Sequence, residues 1–254
     1  MDKTLAAIIL AAGKGTRLNS REVNKVVFPF CGKPMIRYGV ELFKGVSPNV
    51  HVVVGAYADS VKEALASQKG IVYIYQKQRL GTGHAVKIAL AEIKQNSPSL
   101  VLVGYGDHLM FYKKSTIKRL IDLHKKQKAV VSFISAFYDK PEELAWGHIE
   151  RDKTGKILDI IEHKDADEKQ RRIKELNAGL YCFDYFFLKT HIDSIRRSKV
   201  SGEYYLTDIV KIALFDDLPV AALTVPFEEV GIGVNRSWEL EQSQKYYKKT
   251  HASL

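Results

Sequence analysis

Leu10-Ala11-Ala12-Gly13-Lys14-Gly15-Thr16-Arg17-Leu18, with Lys25 a few residues further on, is the stretch whose reading decides the fold. The apolar run Leu5 to Ala11 leads into it and reads as a buried strand. Gly13 and Gly15 then allow a sharp turn and a close approach to the main chain. Their N–H groups suit a concave anion site. Thr16 adds a hydroxyl, Arg17 a planar cationic fork, and Lys25 a point charge. A loop of this content after an N-terminal strand points to a nucleoside triphosphate. It is neither of two familiar glycine loops. The P-loop needs four residues between its glycines, and the dinucleotide fingerprint needs a third glycine where Leu18 stands. An ordinary turn fits the glycines equally well, so later stretches must decide.

The chain has 254 residues, enough for one large domain with a substantial core. No apolar run is long enough to span a bilayer, and the first one lacks a signal-peptide cleavage site. Cys31 and Cys182 lie far apart in apolar surroundings, which argues against a disulfide framework or zinc cluster and for a cytoplasmic location. The net charge is +10, but the basic residues are spread over helix-like stretches such as Lys113 to Lys128. Without an aromatic ladder or a nucleic-acid module, solvated helix faces explain them better than nucleic acid or a membrane. Monomer and homo-oligomer both stay open.

Outward from the loop, strand and helix alternate. Strands are expected at Val50 to Val54, Ile71 to Tyr75, Leu100 to Gly104 and Ala129 to Phe137. Helices are expected at Pro34 to Phe43, at Asp59 to Ala66 with Asp59 or Ser60 as cap, in a stretch that the loop Gln76 to Ala85 runs into and that ends near Ile93, and at Ser115 to Lys126. This order predicts an α/β fold, a mainly parallel sheet with helices on both faces. Ligands of such sheets bind beyond the carboxyl ends of the strands, where the opening loop, Gln76, Gly81 and Asp107 all fall. From about Asp139 the pattern changes. Gly147 to Glu150 and Ile157 to Ile161 flank a hairpin turn at Asp152 to Gly155. A strand follows at Leu176 to Phe183, then helices at Tyr185 to Ser194, Tyr205 to Phe215 and Trp238 to His251, with a strand at Ala221 to Val225. The hairpin region is expected to form a small lobe over one side of the cleft.

Asp107, after a glycine at a strand end, is a candidate ligand for magnesium, which takes one or two protein oxygens and leaves the rest to phosphate and water. Capping of the following turn is the plainer reading. Asn235 is the best second oxygen donor, or else a helix N-cap.

Several motifs occur in order: Leu10 to Lys25, Cys31-Gly32-Lys33-Pro34-Met35, Gln76 with Leu80-Gly81-Thr82-Gly83-His84-Ala85, and Tyr105-Gly106-Asp107. They continue with Glu162-His163-Lys164-Asp165-Ala166, Glu175-Leu176-Asn177-Ala178-Gly179, Gly202 to Asp208 and Gly233-Val234-Asn235. Together, over nearly the whole chain, they resemble the uridylyltransferase domain of the bacterial bifunctional enzymes that make UDP-N-acetylglucosamine. The resemblance implies a Rossmann-like nucleotidyltransferase fold over residues 1–254, with the sugar lobe at about 139–183. It implies UTP and a sugar 1-phosphate as substrates and Mg²⁺ as cofactor. Leu10, Ala11, Ala12, Gly13, Gly15, Thr16, Gln76, Gly81, Thr82, Tyr105 and Gly106 would bind the nucleotide, with Gly13, Gly15, Thr16 and Arg17 at the triphosphate and Gln76 at the uracil edge. Arg17, Lys25 and Asp107 would be catalytic, Gly147, Glu162 and Asn177 would bind the sugar, and Asp107 and Asn235 the metal. Departures are Asn24 where proline usually precedes the reactive lysine, a change expected to loosen the loop, and Arg79, Trp146 and Ala178. The β-helix acetyltransferase half is also absent from the sequence, so nucleotidyl transfer alone is expected.

Overall fold

The computed structural model describes residues 4–15, 18, 22–93 and 98–251. The opening strand, β1 (Leu5–Ala11), is buried throughout. It lies between two parallel neighbours, which is why it reads as an unbroken apolar run. A short hairpin missed by the sequence reading follows, β2 (Pro29–Phe30) and β3 (Lys33–Pro34). Its two-residue turn places Cys31 and Gly32 both at positive φ, a conformation that suits the twist of a hairpin.

The chain then runs through α1 (Met35–Lys44), β4 (Asn49–Val54), α2 (Ala58–Ala64), β5 (Ile71–Tyr75), α3 (Thr82–Glu92), β6 (Leu100–Tyr105), α4 (Lys114–Lys126) and β7 (Val131–Phe137). It continues with β8 (Gly147–Arg151), β9 (Ile157–Ile161), β10 (Glu175–Asp184), α5 (Tyr185–His191), α6 (Asp208–Phe215), β11 (Val220–Thr224) and α7 (Ser237–His251). The central strand order is β11-β7-β10-β6-β1-β4-β5. Only β10 runs antiparallel to its neighbours in that row. The chain passes from β1 to β4 and β5 on one side and returns to β6 on the other. β1 therefore borders the switch point where such sheets bind ligands.

Alternation along β1 splits the core in two. Leu5, Ala7, Ile9 and Ala11 face a cluster with Val40 and Phe43 of α1, Val61 of α2 and Ile117 and Leu120 of α4. Ala6, Ile8 and Leu10 face the opposite cluster, with Ala85, Val86 and Ala89 of α3, Leu188 of α5 and Ile209 and Val210 of α6. A third cluster joins Phe30, Met35 and Phe111 to Leu240, Tyr246 and Tyr247 of α7.

The β8–β9 hairpin is hydrogen-bonded into the main sheet rather than packed as a separate layer. Leu176 and Asn177 of β10 pair with His148 and Gly147. The register of β10 against β7 shifts between Asn177 and Tyr181. Gly179 sits in this bulge at φ +70, where a Cβ would come within 2.4 Å of the Tyr105 ring. Glycine is therefore required both by the turn and by the close approach.

Two helix starts differ from expectation in their cap or by more than one residue. At α2 neither Asp59 nor Ser60 is the cap. Tyr57 stands there in the left-handed region, and the Ser60 hydroxyl instead donates to Tyr57 O at 2.7 Å. At α6 the helix begins at Asp208, not Tyr205. The preceding backbone is engaged elsewhere: Tyr204 N donates to Leu80 O, and Leu206 N to Thr82 Oγ1. No helix among the described residues is long and apolar enough to cross a membrane.

Candidate active site

Beyond the carboxyl ends of β1, β5 and β6 opens a cleft of about 830 Å³. Leu10, Ala11, Ala12, Gly13, Gly15, Lys25, Gln76, Gly81, Thr82, Tyr105, Asp107, Gly147, Glu162, Asn177 and Asn235 all line it. Gly106 faces away: its N–H donates to Leu10 O at 3.0 Å, and a Cβ on it would meet Ile36 Cδ1 at 2.9 Å. It keeps β6 close to β1 and does not line the cavity. Thr16 and Arg17 lie outside the described residues.

The glycine loop is only partly strained. Gly15 takes φ +65 and its carbonyl accepts from Leu18 N at 2.9 Å. Gly13 stays out of the left-handed region, and a Cβ there would meet nothing within 4 Å, so it leaves open space rather than a special turn. Gly81 needs its glycine more. At φ +112, a Cβ would approach the Tyr204 backbone within 2.5 Å. Its neighbour Thr82 spends its hydroxyl on Leu206 N, which ties the loop after β5 to the Tyr204–Leu206 segment. Gln76 is buried, and its Nε2 lies 3.2 Å from Gly81 O, to which it donates, and 3.0 Å from His84 Nδ1. His84 thus orients Gln76 besides opening α3.

Lys25 begins a short 3-10 turn, Lys25–Val27. Its ammonium pairs with Asp107 Oδ2 and donates to Asn235 Oδ1 at 2.8 Å and Val234 O at 3.3 Å. The side chains of Lys25 and Asp107 are 16% and 14% exposed, sheltered enough for the contact to be strong and open enough to be reached. Val234 N donates to Asp107 O at 3.0 Å, which joins the two segments directly. Asn235 is not the cap of α7. Glu239 takes that role, accepting from Asn235 N at 2.6 Å and Arg236 N at 2.7 Å in the manner of a capping box. The Asn235 side chain is thereby left for the cleft. Asp107 Oδ2 and Asn235 Oδ1 are hard oxygens that one cation, here the ammonium, already reaches together. That donor set fits Mg²⁺ with its remaining positions given to phosphate and water. No group of three or more His, Cys, Asp or Glu side chains suited to a metal occurs among the described residues.

Asn24 corrects an expectation. In place of a loosened loop it brings φ −70, near the value proline would fix, and full burial. Its side chain hydrogen-bonds both termini of the loop.

At the other end of the cleft, Glu162 accepts from Thr207 Oγ1 at 2.9 Å. Burial, followed by the nearby charges of Asp208, Asp165 and Glu203, pushes its carboxyl up to about 7. The folded protein therefore holds this proton between about pH 4.5 and 7 while the unfolded chain releases it. This stabilisation is full at the acid end of that window and is lost as pH rises through it. Glu162→Gln is expected to raise Tm relative to the parent by about 2–5 °C more at pH 8 than at pH 5. A Tm difference that does not change with pH contradicts the assignment. Asn177 is turned inward: Nδ2 donates to Tyr181 Oη, and Oδ1 accepts from Gly179 N at 3.3 Å. His108 and Trp146, with ring centroids 4.2 Å apart, wall the same end. Burial draws His108 down to about 4, so it is neutral at ordinary pH. His108 carried no sequence signal beyond its place after Asp107.

Residues 6–231 match the family described as Nucleotidyl transferase. The chain belongs to the nucleotidyl transferase family. Within it, the "Bifunctional protein GlmU" of Clostridium acetobutylicum is 38% identical over 244 residues, 96% of this chain and 52% of that protein. The protein of the same name from Thermoanaerobacter pseudethanolicus is 39% identical over 246 residues, with the same shares covered. The chain thus spans about half the length of these curated relatives. A solved structure from Bacillus anthracis, described as a glucose-1-phosphate thymidylyltransferase, superposes with a TM-score of 0.76. The two are 20% identical, with 95% of this chain and 94% of that one covered. At that identity the likeness concerns the fold. The cleft of this nucleotidyl transferase lies where the strand order of such a sheet reverses.

Proposed function

We propose that the protein transfers a uridylyl group from UTP to an N-acetylhexosamine 1-phosphate, N-acetylglucosamine 1-phosphate first among them, and releases pyrophosphate. The observation that carries this reading is the meeting of Lys25, Asp107 and Asn235 at one rim, although Lys25 and Asn235 are 210 residues apart in sequence. A phosphate oxygen of the sugar phosphate attacks the α-phosphorus of UTP. The bond from that phosphorus to the oxygen bridging the β-phosphate breaks, and pyrophosphate leaves with the electron pair. The attacking oxygen is already anionic, so no general base is required. The residues instead align two anions and offset their charge.

Lys25 supplies a fixed positive charge at the reacting phosphates, and Gly13 leaves them room. Asp107 and Asn235 would hold Mg²⁺, which supplies charge neutralisation at the triphosphate when bound. Gln76, fixed by Gly81 and His84, faces the base, Gly147 and Glu162 face the sugar, and Asn177, its amide held by Tyr181 and Gly179, shapes that wall of the cleft. The sugar part of the cleft corresponds to about residues 139–183, and the reaction is assigned to the cytoplasm.

A panel of the four common NTPs and dTTP against several sugar 1-phosphates, with Mg²⁺ and a pyrophosphate readout, tests the proposal. The fastest turnover is expected for UTP with N-acetylglucosamine 1-phosphate. A preference for dTTP or for glucose 1-phosphate overturns the substrate assignment. No turnover with any pair overturns the reaction and favours a sugar-nucleotide sensor.

A further inference from the structure

We infer that Asn24 is a positioning residue, which fixes the distance between the glycine loop and the Lys25 ammonium. The inference rests on the transfer reaction proposed above. Asn24 is 0% exposed, and every polar group on it is engaged. Its Nδ2 donates to three carbonyl oxygens: Ala11 O at 3.0 Å, Gly13 O at 3.0 Å and Ala56 O at 2.8 Å. Two N–H bonds reach three acceptors, so one is shared. Oδ1 accepts from Val26 N at 3.2 Å, and the backbone carbonyl from Val27 N at 3.0 Å, which starts the turn that carries Lys25. Asn24 N donates to Ser60 Oγ at 3.0 Å, and that hydroxyl donates in turn to Tyr57 O.

One planar amide therefore joins the end of β1, the glycine loop, the corner after β4 and the start of the Lys25 turn. The corner is itself held to the loop, since Ala56 N donates to Ala12 O at 3.2 Å. A Cβ on Gly55 would come within 2.8 Å of the same carbonyl. The job needs donors and an acceptor on a single flat group. Aspartate lacks the donors, leucine of similar shape lacks both, and serine is too short to reach three carbonyls. Lys25 follows directly in the chain. Its Nζ has a place between Asp107 and Asn235 only while its own backbone is fixed relative to β1. Displacements of about 1 Å at such a centre can cost ~100-fold in rate.

A double-mutant cycle tests this. Asn24→Ala is expected to lower kcat for the uridylyl transfer by roughly 10–100-fold, with KM for the sugar phosphate changed less than about threefold. In a Lys25→Ala background the same substitution is expected to lower kcat by less than about threefold, because the group it positions is gone. Equal losses in both backgrounds mark general destabilisation and overturn the inference. If Asn24→Ala does not fold, Asn24→Ser, which keeps a hydroxyl in the pocket but is too short to bridge the three carbonyls, takes its place in the same cycle. Hydrogen exchange of the free protein separates this inference from the reaction itself. With Asn24→Ala, or Asn24→Ser in its stead, the hydrogen-bonded amides of Val26, Val27 and Ala56 should exchange faster, with those of β6 unchanged, even if the parent turns over no substrate pair. Unchanged exchange at Val26 and Ala56 overturns the clamp.

Discussion

Asp107→Ala lowers kcat by at least ~1000-fold in the expected result, because it removes the one carboxylate that both fixes the Lys25 ammonium and offers a divalent ion a charged oxygen. The fold should persist. Asp107 lies at the cleft rim with a side chain 14% exposed, and its backbone contact to Val234 N is kept by alanine. Asp107→Asn retains the shape and one oxygen while losing the charge. It should recover little of the rate and should need far more Mg²⁺ for half-maximal turnover. Pyrophosphate release against Mg²⁺ concentration, with a thermal melt alongside, gives both readings. Near-parental kcat in Asp107→Ala would remove Asp107 from the reacting centre.

Lys25→Ala is the second large effect, a loss of roughly 100–1000-fold in kcat, the size found when one preorganised charge or donor is removed from a transition state. The substitution leaves Asp107 and Asn235 without their shared partner but buries no new charge, so the melting temperature should move by only a few degrees. Lys25→Arg should not rescue. The ammonium is a compact point charge that touches Asp107 Oδ2, Asn235 Oδ1 and Val234 O together, and a planar fork cannot match three oxygens set around a point. Recovery of more than a tenth of the parental rate by arginine would mean that charge alone, without this geometry, is sufficient.

The parts of the fold that could be read in advance share a physical cause. β1 and β5 match their expected limits because their apolar runs are bounded closely by polar or glycine residues, Thr4 and Gly13 around β1 and Gly70 and Gln76 around β5. That the glycine loop, Gln76, Gly81 and Asp107 share one edge was legible because parallel strands place their carboxyl ends together, whereas the roles of Lys25 and Asn235 beside them were implied by the resemblance. The misses came where a local signal competed with a distant partner. The start of α6 was expected three residues early because Tyr205 to Thr207 carry helical periodicity, yet Leu206 N is bonded across to Thr82 Oγ1 and the preceding Tyr204 N to Leu80 O. Asn235 had the composition of a helix cap, but Glu239 reaches back and takes that role.

Asn24 was the most misleading single residue. As a replacement for proline it suggested a looser loop. Only the positions of Ala11, Gly13 and Ala56 reveal that its amide restores the rigidity by hydrogen bonding. The raised carboxyl of Glu162 was likewise invisible, since its burial, and after that the nearness of Asp208, Asp165 and Glu203, exist only in the folded chain.

The most direct measurement is a crystal structure of the protein with Mn²⁺ in place of Mg²⁺ and a non-reacting UTP analogue, the metal located by its anomalous signal. The account predicts one ion bound by Asp107 and Asn235 Oδ1, with the Lys25 ammonium turned onto the phosphates and the base beside Gln76. Metal and triphosphate bound away from Lys25, Asp107 and Asn235 would contradict it.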